Sequence, residues 1–478
     1  SISEQEAAEL VYKVLERNTA ISEIHRSLSW KITEPLRLTS YILKGDFKKA
    51  SKSAKQIKYW IGERFTRILQ ALLALVVKAK STDSINNLLA LQSIVNERCR
   101  LTRALPQTKI LSEKSSAELP SIDISAVTYN SEKWIEGFVE SIISVQYPKN
   151  LLNIHFVDNS STDATVEKIQ SGIKRLEGSG CMAILHSCKN KGFGAGHNVV
   201  LAAGSSPYIL VTNVDLVFDE RSLRNIVAAS ITDDGKVAAW EFRQRPYEHP
   251  KFYDPVTGLT NWNSHACILF RRSTLESVGG YDETLFMYGE DVELSYRLRR
   301  SGLLLRYCPA AAVQHFSYDH ADHIKPMQYQ GSTFANLYLR LKYGNTCDIW
   351  SIPFLAAQLL LSPSPFKGAR WMTLKNLARL MVVAPKALWS RKKPARDDVY
   401  FPFRTWDYDL VRDGAFVEQS TLPPELPLVS IITRTYRGRE LYLRQAILSV
   451  AHQSYPNIEH IIVEDGGNAL ESLVEQIG

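Results

Sequence analysis

Ile122-Asp123-Ile124-Ser125-Ala126-Val127-Thr128 is the first of several short apolar runs that alternate with amphipathic segments in the middle of the chain. Further strand-like runs lie at residues 152–157, 182–186 and 207–212. Apolar residues at the spacing of three and four that is typical of helices occupy residues 131–146, 162–176 and 195–203. This alternation predicts an α/β fold with a Rossmann-like, mostly parallel sheet and helices on both of its faces.

Polar side chains follow the predicted strands at the point where each strand ends. They are Tyr129 and Asn130, Asp158 and Asn159, Asn190 to Gly192, and Asn213 with Asp215. Ligands of open α/β sheets bind beyond the carboxyl ends of the strands. The stretch that starts at Gly192 also contains Gly194 and Gly196. Such glycines let the backbone approach a phosphate, and the following helix N-terminus favours an anion. We therefore expect a nucleotide site at this edge, with a plain turn as the alternative for the glycine-rich stretch.

Two short acidic stretches indicate the type of chemistry. Thr212-Asn213-Val214-Asp215 directly follows an apolar run, and a carboxylate at the end of a buried strand can hold a divalent metal against phosphate oxygens. Glu290 and Asp291 open a helical stretch, where a carboxylate can accept a proton from an incoming hydroxyl. Stabilisation of the helix dipole is the alternative role for these two acids. Together the stretches predict transfer of a group away from a nucleotide diphosphate.

Charge is unevenly distributed along the 478 residues, of which 45% are hydrophobic and 22% charged. The net charge is +7; residues 41–81 carry ten Lys and Arg against two acids, and residues 349–396 carry nine and no acid. A chain of this length favours two or three globular units. The six cysteines show no CxxC spacing, which is typical of free thiols in a reducing compartment. No stretch reads as a signal peptide or reaches the ~18 apolar residues of a membrane span, so a cytoplasmic protein is expected.

Composition divides the chain into six segments. The predicted segments are a helical, basic region (1–104), a linker (105–121), the α/β domain (122–344), a basic amphipathic helical extension (345–412), a second linker (413–427) and an incomplete repeat (428–478). In the repeat, Val429-Ser430-Ile431-Ile432-Thr433-Arg434-Thr435-Tyr436 echoes residues 124–129, and Ile462-Val463-Glu464-Asp465 echoes residues 156–159. The repeat contains no counterpart of Asp215 or Asp291, so we expect catalysis only between residues 122 and 344.

The order of these motifs resembles that of the family 2 glycosyltransferases, which have the GT-A fold. The resemblance covers residues 122–344 and the opening of the repeat. It rests on Thr128-Tyr129-Asn130, the stretches 157–163 and 190–198, Asn213-Val214-Asp215, and the stretches 278–283 and 288–297. The Asn-Lys-Gly and Glu-Asp blocks are most similar to the rhamnosyltransferase-type branch, which builds bacterial surface polysaccharides such as O-antigen. That branch also includes galactofuranosyl transferases.

The resemblance implies a role for each matching residue. Asp291 would deprotonate the acceptor hydroxyl in a single displacement with inversion, and Glu290 would orient it or contact the acceptor. Asp215 and His315 would bind a divalent metal, Mg²⁺ or Mn²⁺; the family's usual first acid is Asn213 here, which brings no charge. The alternatives are a core position for His315 and a helix-capping role for Asp158. The nucleotide sugar would contact Thr128, Tyr129, Asn130, Asp158, Asn159, Lys191, Gly192, Gly194, Asn198, Asn213 and Val214.

The partners expected are a nucleotide-sugar donor and a glycan or lipid-linked acceptor. Trp262, Asn263 and His265 are expected to present the acceptor sugar, with a core position as the alternative for Trp262. The two basic segments contain amphipathic, Trp-containing stretches, which suit peripheral contact with an anionic membrane at the inner face of the cell membrane. Plain helical packing is the alternative for these segments, and nucleic acid is not an expected partner.

Two other classes of function compete with a glycosyltransferase. Asn213 and the incomplete repeat are compatible with a catalytically silent nucleotide-sugar-binding or scaffold domain. A nucleotidyltransferase would carry a Gly-rich, Lys- or Arg-containing signature after the first strand. Tyr129-Asn130-Ser131-Glu132 stands there instead, which argues against that class.

Overall fold

The structure is a computed structural model. It describes residues 119–233, 235–248, 253–254, 256–316, 325–391, 401, 403–408, 416–417, 427–451, 453 and 457–477. The predicted helical region 1–104, with its basic stretch 41–81, lies outside the described residues, as do most of the predicted linkers 105–121 and 413–427. The described residues belong to two units, 350–375 and the remainder, and each is treated by itself.

The first half of the larger unit alternates strands with helices. Its elements are β1 (Ile122–Thr128), α1 (Glu132–Ser144), β2 (Leu152–Asp158), α2 (Thr165–Gly178), β3 (Met182–Ser187), α3 (Phe193–Ala203) and β4 (Tyr208–Thr212). The four strands are parallel and lie in the order β3-β2-β1-β4. Thr128, Asp158 and Ser187 are therefore register neighbours at one edge of the sheet. The predicted alternation, with polar strand ends gathered at one edge, is confirmed.

The second half of this unit extends the same sheet with strands of mixed direction. Its elements are β5 (Leu216–Phe218), α4 (Ser222–Thr232), β6 (Val237–Arg245), β7 (Tyr247–Glu248), β8 (Leu259–Thr260), β9 (Cys267–Arg271), α5 (Arg272–Ser277), α6 (Glu290–Arg300), β10 (Leu304–His315) and α7 (Pro326–Tyr343). Beyond β4 the order is β9-β6-β10-β5, with β8 beside β10. The last residue of β10, His315, is paired with Leu216 of the antiparallel β5. This pairing brings His315 next to Asp215.

Helices cover both faces of the sheet, and each face has its own apolar core. Phe138 of α1 and Ile169 of α2 pack in the first core with Leu210 of β4. Leu294 of α6 packs in the second core with Ile209 of the same strand. Because neighbouring strand residues point to opposite faces, the two cores lie on opposite sides of the sheet. The α/β class with helices on both faces is thereby confirmed.

A buried ion pair joins the first strand to α5 near the amino end of β1. Arg272 Nη2 lies 2.5 Å from Asp123 Oδ2, with the two side chains 8% and 1% exposed. Ser206 Oγ and Asn153 Nδ2 donate hydrogen bonds to the other carboxylate oxygen at 2.6 Å and 2.9 Å. Arg272 also donates to the carbonyls of Ser206 and Leu201. This network ties β1, β2 and α5 together at the edge of the sheet opposite the polar strand ends.

The remaining described elements follow the sheet along the chain. They are α8 (Thr346–Leu361), α9 (Ala369–Trp389), β11 (Phe403–Arg404), β12 (Asp407–Tyr408), β13 (Phe416–Val417), β14 (Val429–Tyr436), α10 (Glu440–Ala451), β15 (Ile458–Asp465) and α11 (Glu471–Ile477). β14 and β15 are parallel and pair Thr435 with Glu464, just as β1 and β2 pair Thr128 with Asp158. None of the helices in the described part of the chain is long and apolar enough to cross a membrane.

Candidate active site

The carboxyl ends of β1 and β2 hold each other in place through Asp158. Its Oδ1 accepts hydrogen bonds from Thr128 Oγ1 at 3.1 Å and Ser161 Oγ at 2.5 Å, and its Oδ2 accepts one from the Ser161 N–H at 3.0 Å. Helix α2 begins only at Thr165, so Asp158 closes a turn and does not cap that helix. Asn159, also buried, donates from its side chain to the Gly192 carbonyl at 3.3 Å.

Tyr129 and Asn130 are the exposed residues at this edge. Tyr129 is 50% exposed, while Asn130 adopts a positive φ of 50° and accepts a hydrogen bond from the Thr162 N–H at 2.8 Å. Asparagine tolerates this left-handed conformation better than most residues. The turn therefore presents the Tyr129 ring to solvent beside the strand end, where a planar base could stack on it.

The glycines at the start of α3 have close contacts within the protein. Gly192 has a φ of 99°, and a Cβ there would lie 2.0 Å from the Phe286 carbonyl oxygen. A Cβ on Gly194 would lie 2.8 Å from Tyr281 Cβ. The loop that precedes α6 therefore excludes side chains at these two positions. Contact between their backbone and a nucleotide stays a prediction.

Asn198 is also engaged by the same loop. Its Nδ2 donates to the Tyr281 carbonyl at 3.0 Å and to Glu283 Oε1 at 3.2 Å, and its Oδ1 accepts a hydrogen bond from the Tyr281 N–H at 2.8 Å. The side-chain amide thus clamps the loop to α3. Asn198 nevertheless lines the adjoining pocket, where Val199 and Gly196 are its neighbours on the helix.

A pocket of about 430 Å³ lies beside α3 at the carboxyl edge of the sheet. Its lining comprises Asn159, Cys188, Lys189, Lys191, Ala195, Gly196, Asn198, Val199 and Glu283. A second pocket of about 470 Å³ shares Asn198 and Glu283 with it. Lys189 and Lys191 are both exposed at the pocket, so positive charge is available for an anionic ligand such as a diphosphate. This placement agrees with the predicted ligand role of Asn159 and Lys191.

Asp215 and His315 lie together, as the prediction of a shared metal requires. His315 Nε2 is 3.5 Å from Asp215 Oδ1, and His315 Nδ1 is 2.8 Å from Gln244 Oε1. An amide oxygen only accepts hydrogen bonds, so Nδ1 carries a proton, and Nε2 is the ring nitrogen that faces the carboxylate. A cation between these two atoms would satisfy both, and an oxygen-plus-imidazole pair suits Mn²⁺. The donor set therefore fits a divalent metal.

The electrostatics of Asp215 favour its charged form. Burial on its own would raise the pKa of Asp215, but the hydrogen bond and charge of His315 outweigh it, so that the pKa lies below its ordinary value. The described residues contain no cluster of three or more His, Cys, Asp or Glu side chains that could hold a metal. The remaining coordination positions would then fall to water and to phosphate oxygens of the ligand.

The other two residues of the 213–215 stretch differ in their side-chain surroundings. Asn213 donates its backbone N–H to the Ala266 carbonyl at 2.8 Å, and its half-buried side-chain amide hydrogen-bonds Asp215, which helps to lower the pKa of Asp215. Val214 is 6% exposed and packs in the first core. The predicted contact between Val214 and the nucleotide sugar would therefore have to be made by its backbone.

Glu290 and Asp291 form a closely spaced acid pair at the start of α6. Gly289 precedes them with a φ of 91°. Burial, reinforced for Glu290 by the Asp291 charge, raises the pKa of Glu290 to about 8. Burial also raises the pKa of Asp291 to about 6, while a hydrogen bond from the Val292 N–H and the nearby Trp262 indole limit the rise. Burial and close spacing therefore favour a pair that keeps one proton and one negative charge, and its ionised member can act as a general base.

Tyr288 connects the acid pair with Asp215. Burial raises the pKa of Tyr288, and the charges of Glu290 and Asp215 both contribute to the rise, which means that this phenol lies near the two carboxyls. Its φ is 67°, a strained conformation for a bulky residue. Asp215 and Glu290 are thus both within electrostatic reach of the Tyr288 hydroxyl.

The helix that carries the acids is anchored through Glu293, one turn further on. Glu293 is fully buried, and Arg297 Nε donates to both of its carboxylate oxygens, at 2.9 Å and 2.8 Å. Lys342 and Tyr343 of α7 donate to the same carboxylate at 2.9 Å and 2.5 Å. Arg297 therefore pairs with Glu293, and the network fixes α6 against α7.

The residues predicted to bind the acceptor are buried. Asn263 has no exposed surface and donates to Glu241 Oε2 and the Arg306 carbonyl, both at 3.1 Å. His265 is 3% exposed, with its Nδ1 3.0 Å from the Tyr281 hydroxyl. Such side chains cannot contact a sugar, so the prediction is wrong for Asn263 and His265. Trp262 is 7% exposed; its indole lies near Asp291 and does not form an open stacking platform.

Three residues of the site were missed by sequence reasoning. Gln244 holds His315 from a different strand, Tyr288 is within electrostatic reach of Asp215 and Glu290, and Tyr281 belongs to the loop that packs on α3. The position of Tyr288 directly before Gly289 is the only local signal, since a residue at that turn borders the acid pair. Gln244 lies 71 residues from its partner, and no pattern in the sequence indicates the contact.

Replacing Glu290 with Gln is expected to stabilise the protein at pH 8 and to have little effect at pH 4.5. The pKa of Glu290 is raised, so between its ordinary value of 4.5 and about 8 the folded state keeps a proton that the unfolded chain has lost. Stability therefore falls as pH rises through this window. The variant does not titrate and avoids this loss, which is about 4 kcal/mol at pH 8. Urea unfolding at both pH values measures it. Glu136→Gln on the exposed surface of α1 is the control; a pH-independent effect of Glu290→Gln would contradict the assignment.

The chain is similar to known glycosyltransferases. Residues 124–293 match the family model described as Glycosyl transferase family 2. The N-acetylglucosaminyl-diphospho-decaprenol L-rhamnosyltransferase of Mycobacterium tuberculosis is 28% identical over 242 residues, which cover 41% of this chain and 75% of the relative. Rhamnosyltransferase WbbL of Escherichia coli is 35% identical over 60 residues, 13% of this chain and 23% of the relative. Among solved structures, the mannosyltransferase PcManGT from Pyrobaculum calidifontis is 18% identical with a TM-score of 0.41, covering 68% of this chain and all of that one.

Proposed function

Residues 124–293 form a rhamnosyltransferase-like glycosyl transferase family 2 domain. From this premise we propose that the chain transfers a sugar from a nucleotide diphosphate to an acceptor hydroxyl, with inversion of the anomeric centre. Rhamnose is the sugar we expect first. One observation carries the proposal. Asp215 lies beside His315 at the carboxyl edge of the sheet, and the Tyr288 hydroxyl is within electrostatic reach of both Asp215 and Glu290, the neighbour of Asp291. A galactofuranosyl or other hexosyl group is the alternative for the transferred sugar.

Asp291 is the base in this mechanism. The acceptor oxygen forms a bond to the anomeric carbon as its proton passes to the Asp291 carboxylate, and the bond from that carbon to the diphosphate oxygen breaks. Attack opposite to the leaving group inverts the anomeric centre. The pKa of Glu290 is raised, and in its protonated form it can donate a hydrogen bond to the substrate without placing a second negative charge beside Asp291. The Trp262 indole lies near Asp291.

Asp215 and His315 would hold a divalent cation, Mg²⁺ or Mn²⁺, against the diphosphate. When bound, such an ion neutralises the charge that develops on the leaving group. Lys189 and Lys191, at the rim of the neighbouring pocket, add positive charge on the same side. Asn213 supplies no charge, so the carboxylate of Asp215 is the single anionic ligand that this stretch offers.

Replacing Gln244 with Leu is expected to weaken Mn²⁺ binding about 10–100-fold, the usual effect of removing a residue that orients a metal ligand. Leucine cannot accept the His315 Nδ1 proton, so the ring loses the contact that directs Nε2 at Asp215. Gln244→Glu keeps an acceptor oxygen and is the matched control, expected to retain most of the affinity. Calorimetric titration with Mn²⁺ in the presence of a nucleoside diphosphate measures the effect. Equal affinities of Gln244→Leu and the unchanged protein would contradict the role of Gln244.

The acceptor we propose is a glycan or a lipid-linked sugar of bacterial surface polysaccharide synthesis. The mycobacterial relative is named for transfer of L-rhamnose to an N-acetylglucosaminyl-diphospho-decaprenol, and 75% of its length is matched by this chain. A lipid-linked acceptor lies at a membrane surface. We therefore place the enzyme in the cytoplasm with peripheral contact to the anionic inner face of the cell membrane, and we expect no nucleic-acid partner.

A catalytically silent nucleotide-sugar-binding or scaffold domain is the competing function. Asn213 in place of an acid favours it, because it leaves Asp215 as the only carboxylate of the stretch. Calorimetry with a panel of nucleotide sugars, including dTDP-rhamnose, and assay of the released nucleoside diphosphate with a lipid-linked acceptor separate the two. The transferase binds a donor and turns it over. Binding without any turnover would support the silent domain.

A further inference from the structure

The last four turns of α9 leave a line of large apolar side chains exposed. Met381 is 72% exposed, Val382 80%, Leu388 45% and Trp389 94%. At 3.6 residues per turn these four positions fall within an arc of about 120° of the helix surface. Exposed apolar residues are ordinary when scattered singly, but a row of four on one helix marks an interaction surface.

The opposite side of the same turns is fixed to the larger unit. Leu380 and Ala387 are 6% and 1% exposed. Asn376 donates to the Gln330 carbonyl and to Thr333 Oγ1, both at 2.8 Å. Arg391, just after the helix, donates to the Leu341 and Gly344 carbonyls at 2.7 Å and 2.6 Å. These contacts prevent the helix from rotating about its axis to bury its apolar side, so the row stays exposed.

Charge selects the kind of partner that this surface fits. Residues 376–391 contain Arg379, Lys386 and Arg391 and no Asp or Glu. Lys386 and Arg379 lie on one border of the apolar arc by helical geometry. Arg379 donates to the Thr284 carbonyl at 2.6 Å and stacks on the Phe334 ring, so Lys386, which also lines the second pocket, is the cation assigned to this border. A hydrophobic row with a lysine along its edge matches a membrane interface, where apolar groups enter the acyl boundary and lysines remain at anionic headgroups. Tryptophan, as at Trp389, is enriched at that depth of a bilayer.

The smaller unit, residues 350–375, has the same character when considered by itself. Trp350 is 69% exposed and Trp371 62% exposed. Its charged residues are Lys367, Arg370 and Lys375, again without an acid. Exposed tryptophans beside cations are typical of helices that lie at a membrane interface.

We propose that the face of α9 formed by Met381, Val382, Leu388 and Trp389, with Lys386 on its border, docks the protein on an anionic lipid surface. This inference deepens the proposed membrane contact by naming the surface that makes it. Docking through α9 would hold the domain at the bilayer, where a lipid-linked acceptor presents its sugar. Helix α9 exposes a row of apolar side chains, but it is not long and apolar enough to cross a membrane.

Flotation of the full chain with lipid vesicles tests the docking face. We expect binding to vesicles of phosphatidylcholine mixed with phosphatidylglycerol, weaker binding to phosphatidylcholine alone, and loss of binding at high salt. The double substitution Val382→Asp with Trp389→Asp should reduce binding at least about tenfold, because two apolar side chains no longer enter the interface. Lys386→Glu should reduce binding to the anionic vesicles only. Donor and acceptor are left out, so the result does not depend on whether the chain transfers a sugar.

Met182→Asp is the matched control, since Met182 is an apolar residue that is 58% exposed on β3. It should bind vesicles like the unchanged protein, and all variants should keep the same melting temperature. The proposal is overturned if the full chain does not float, or if the double variant floats as well as the unchanged chain. It is also overturned if sedimentation shows that the double variant disrupts a protein oligomer while vesicle binding persists, which would make this face a protein interface.

Discussion

Replacing Asp291 with Asn is expected to lower kcat for sugar transfer by about 10²–10⁴-fold, the range that a positioned general base contributes. Asparagine keeps the shape of the side chain and its contacts with the Val292 N–H and the Trp262 indole, but it cannot accept the acceptor proton. The nucleotide site lies on other elements, so donor affinity should change little. Turnover with saturating donor and acceptor, together with calorimetry of donor binding, separates the two effects.

The pH profile provides a second readout for the same residue. Asp291 has a pKa raised to about 6, and a protonated carboxyl cannot act as a base. The rate of transfer by the unchanged protein should therefore increase as pH rises through about 6, and the residual rate of Asp291→Asn should not show this increase. Glu290→Gln, which preserves a hydrogen-bond donor, serves as the control and should show the increase. Persistence of full turnover in Asp291→Asn would assign the base to another group.

Replacing Arg272 with Met is expected to reduce the free energy of unfolding by about 3–5 kcal/mol, as removal of one partner of a buried ion pair usually does. The Asp123 carboxylate, 1% exposed, would remain buried without its cation. Hydrogen bonds from Ser206 and Asn153 would compensate for only part of the lost charge. The Ser206 and Leu201 carbonyls would lose their donor as well. Urea unfolding followed by circular dichroism measures the change.

An exposed ion pair of the same domain is the control for this experiment. Arg175 of α2 pairs with Glu140 of α1, with side chains 41% and 52% exposed. Arg175→Met should cost less than about 1 kcal/mol, because water screens the pair. Equal losses for Arg272→Met and Arg175→Met would mean that the buried network does not hold β1 to α5. Activity is not the readout, since the network lies at the edge of the sheet away from the site.

The sheet was predictable because its signals are local. Short apolar runs, helical spacings and polar strand ends are each read within about ten residues of sequence. These patterns correctly placed β1 to β4 and the helices between them. Asp215 and Asp291 were also identified from local motifs, and Tyr288 is within electrostatic reach of Asp215 and of Glu290, the neighbour of Asp291. The direction of β9 and β5 could not be predicted, because pairing between distant strands leaves no pattern in either segment.

The errors concern residues whose role depends on what covers them. Asn263 and His265 follow an aromatic residue near the site and were predicted to face the acceptor, but β6 and the loop before α6 bury them. Gly192 and Gly194 fit a phosphate-binding pattern, which stays a prediction; the backbone of Phe286 and the ring of Tyr281 occupy the space beside them. Sequence indicates that glycine is required at such a position. It does not indicate whether a ligand or the protein itself makes the close approach.

In the repeat, the strands and their pairing were likewise predictable from sequence, whereas the contacts of individual side chains were not. Its strand-helix-strand order and its parallel pairing were expected from similarity to the first copy, and β14 and β15 pair in the same register as β1 and β2. The Glu464 carboxylate, which takes the place of Asp158, accepts a hydrogen bond from the Leu470 N–H at 2.9 Å. Asp158 instead accepts from Ser161 and Thr128, so the matching acids close different turns.

The central claim is that residues 122–344 transfer a sugar from a nucleotide diphosphate in a single displacement assisted by Asp291. Proton NMR of a running reaction, with the donor that the calorimetric panel identifies, tests it most directly. The account predicts that the new glycoside appears with the anomeric configuration opposite to that of the donor. It also predicts that Asp291→Asn forms this product much more slowly than the unchanged protein. A product that retains the donor configuration would contradict it.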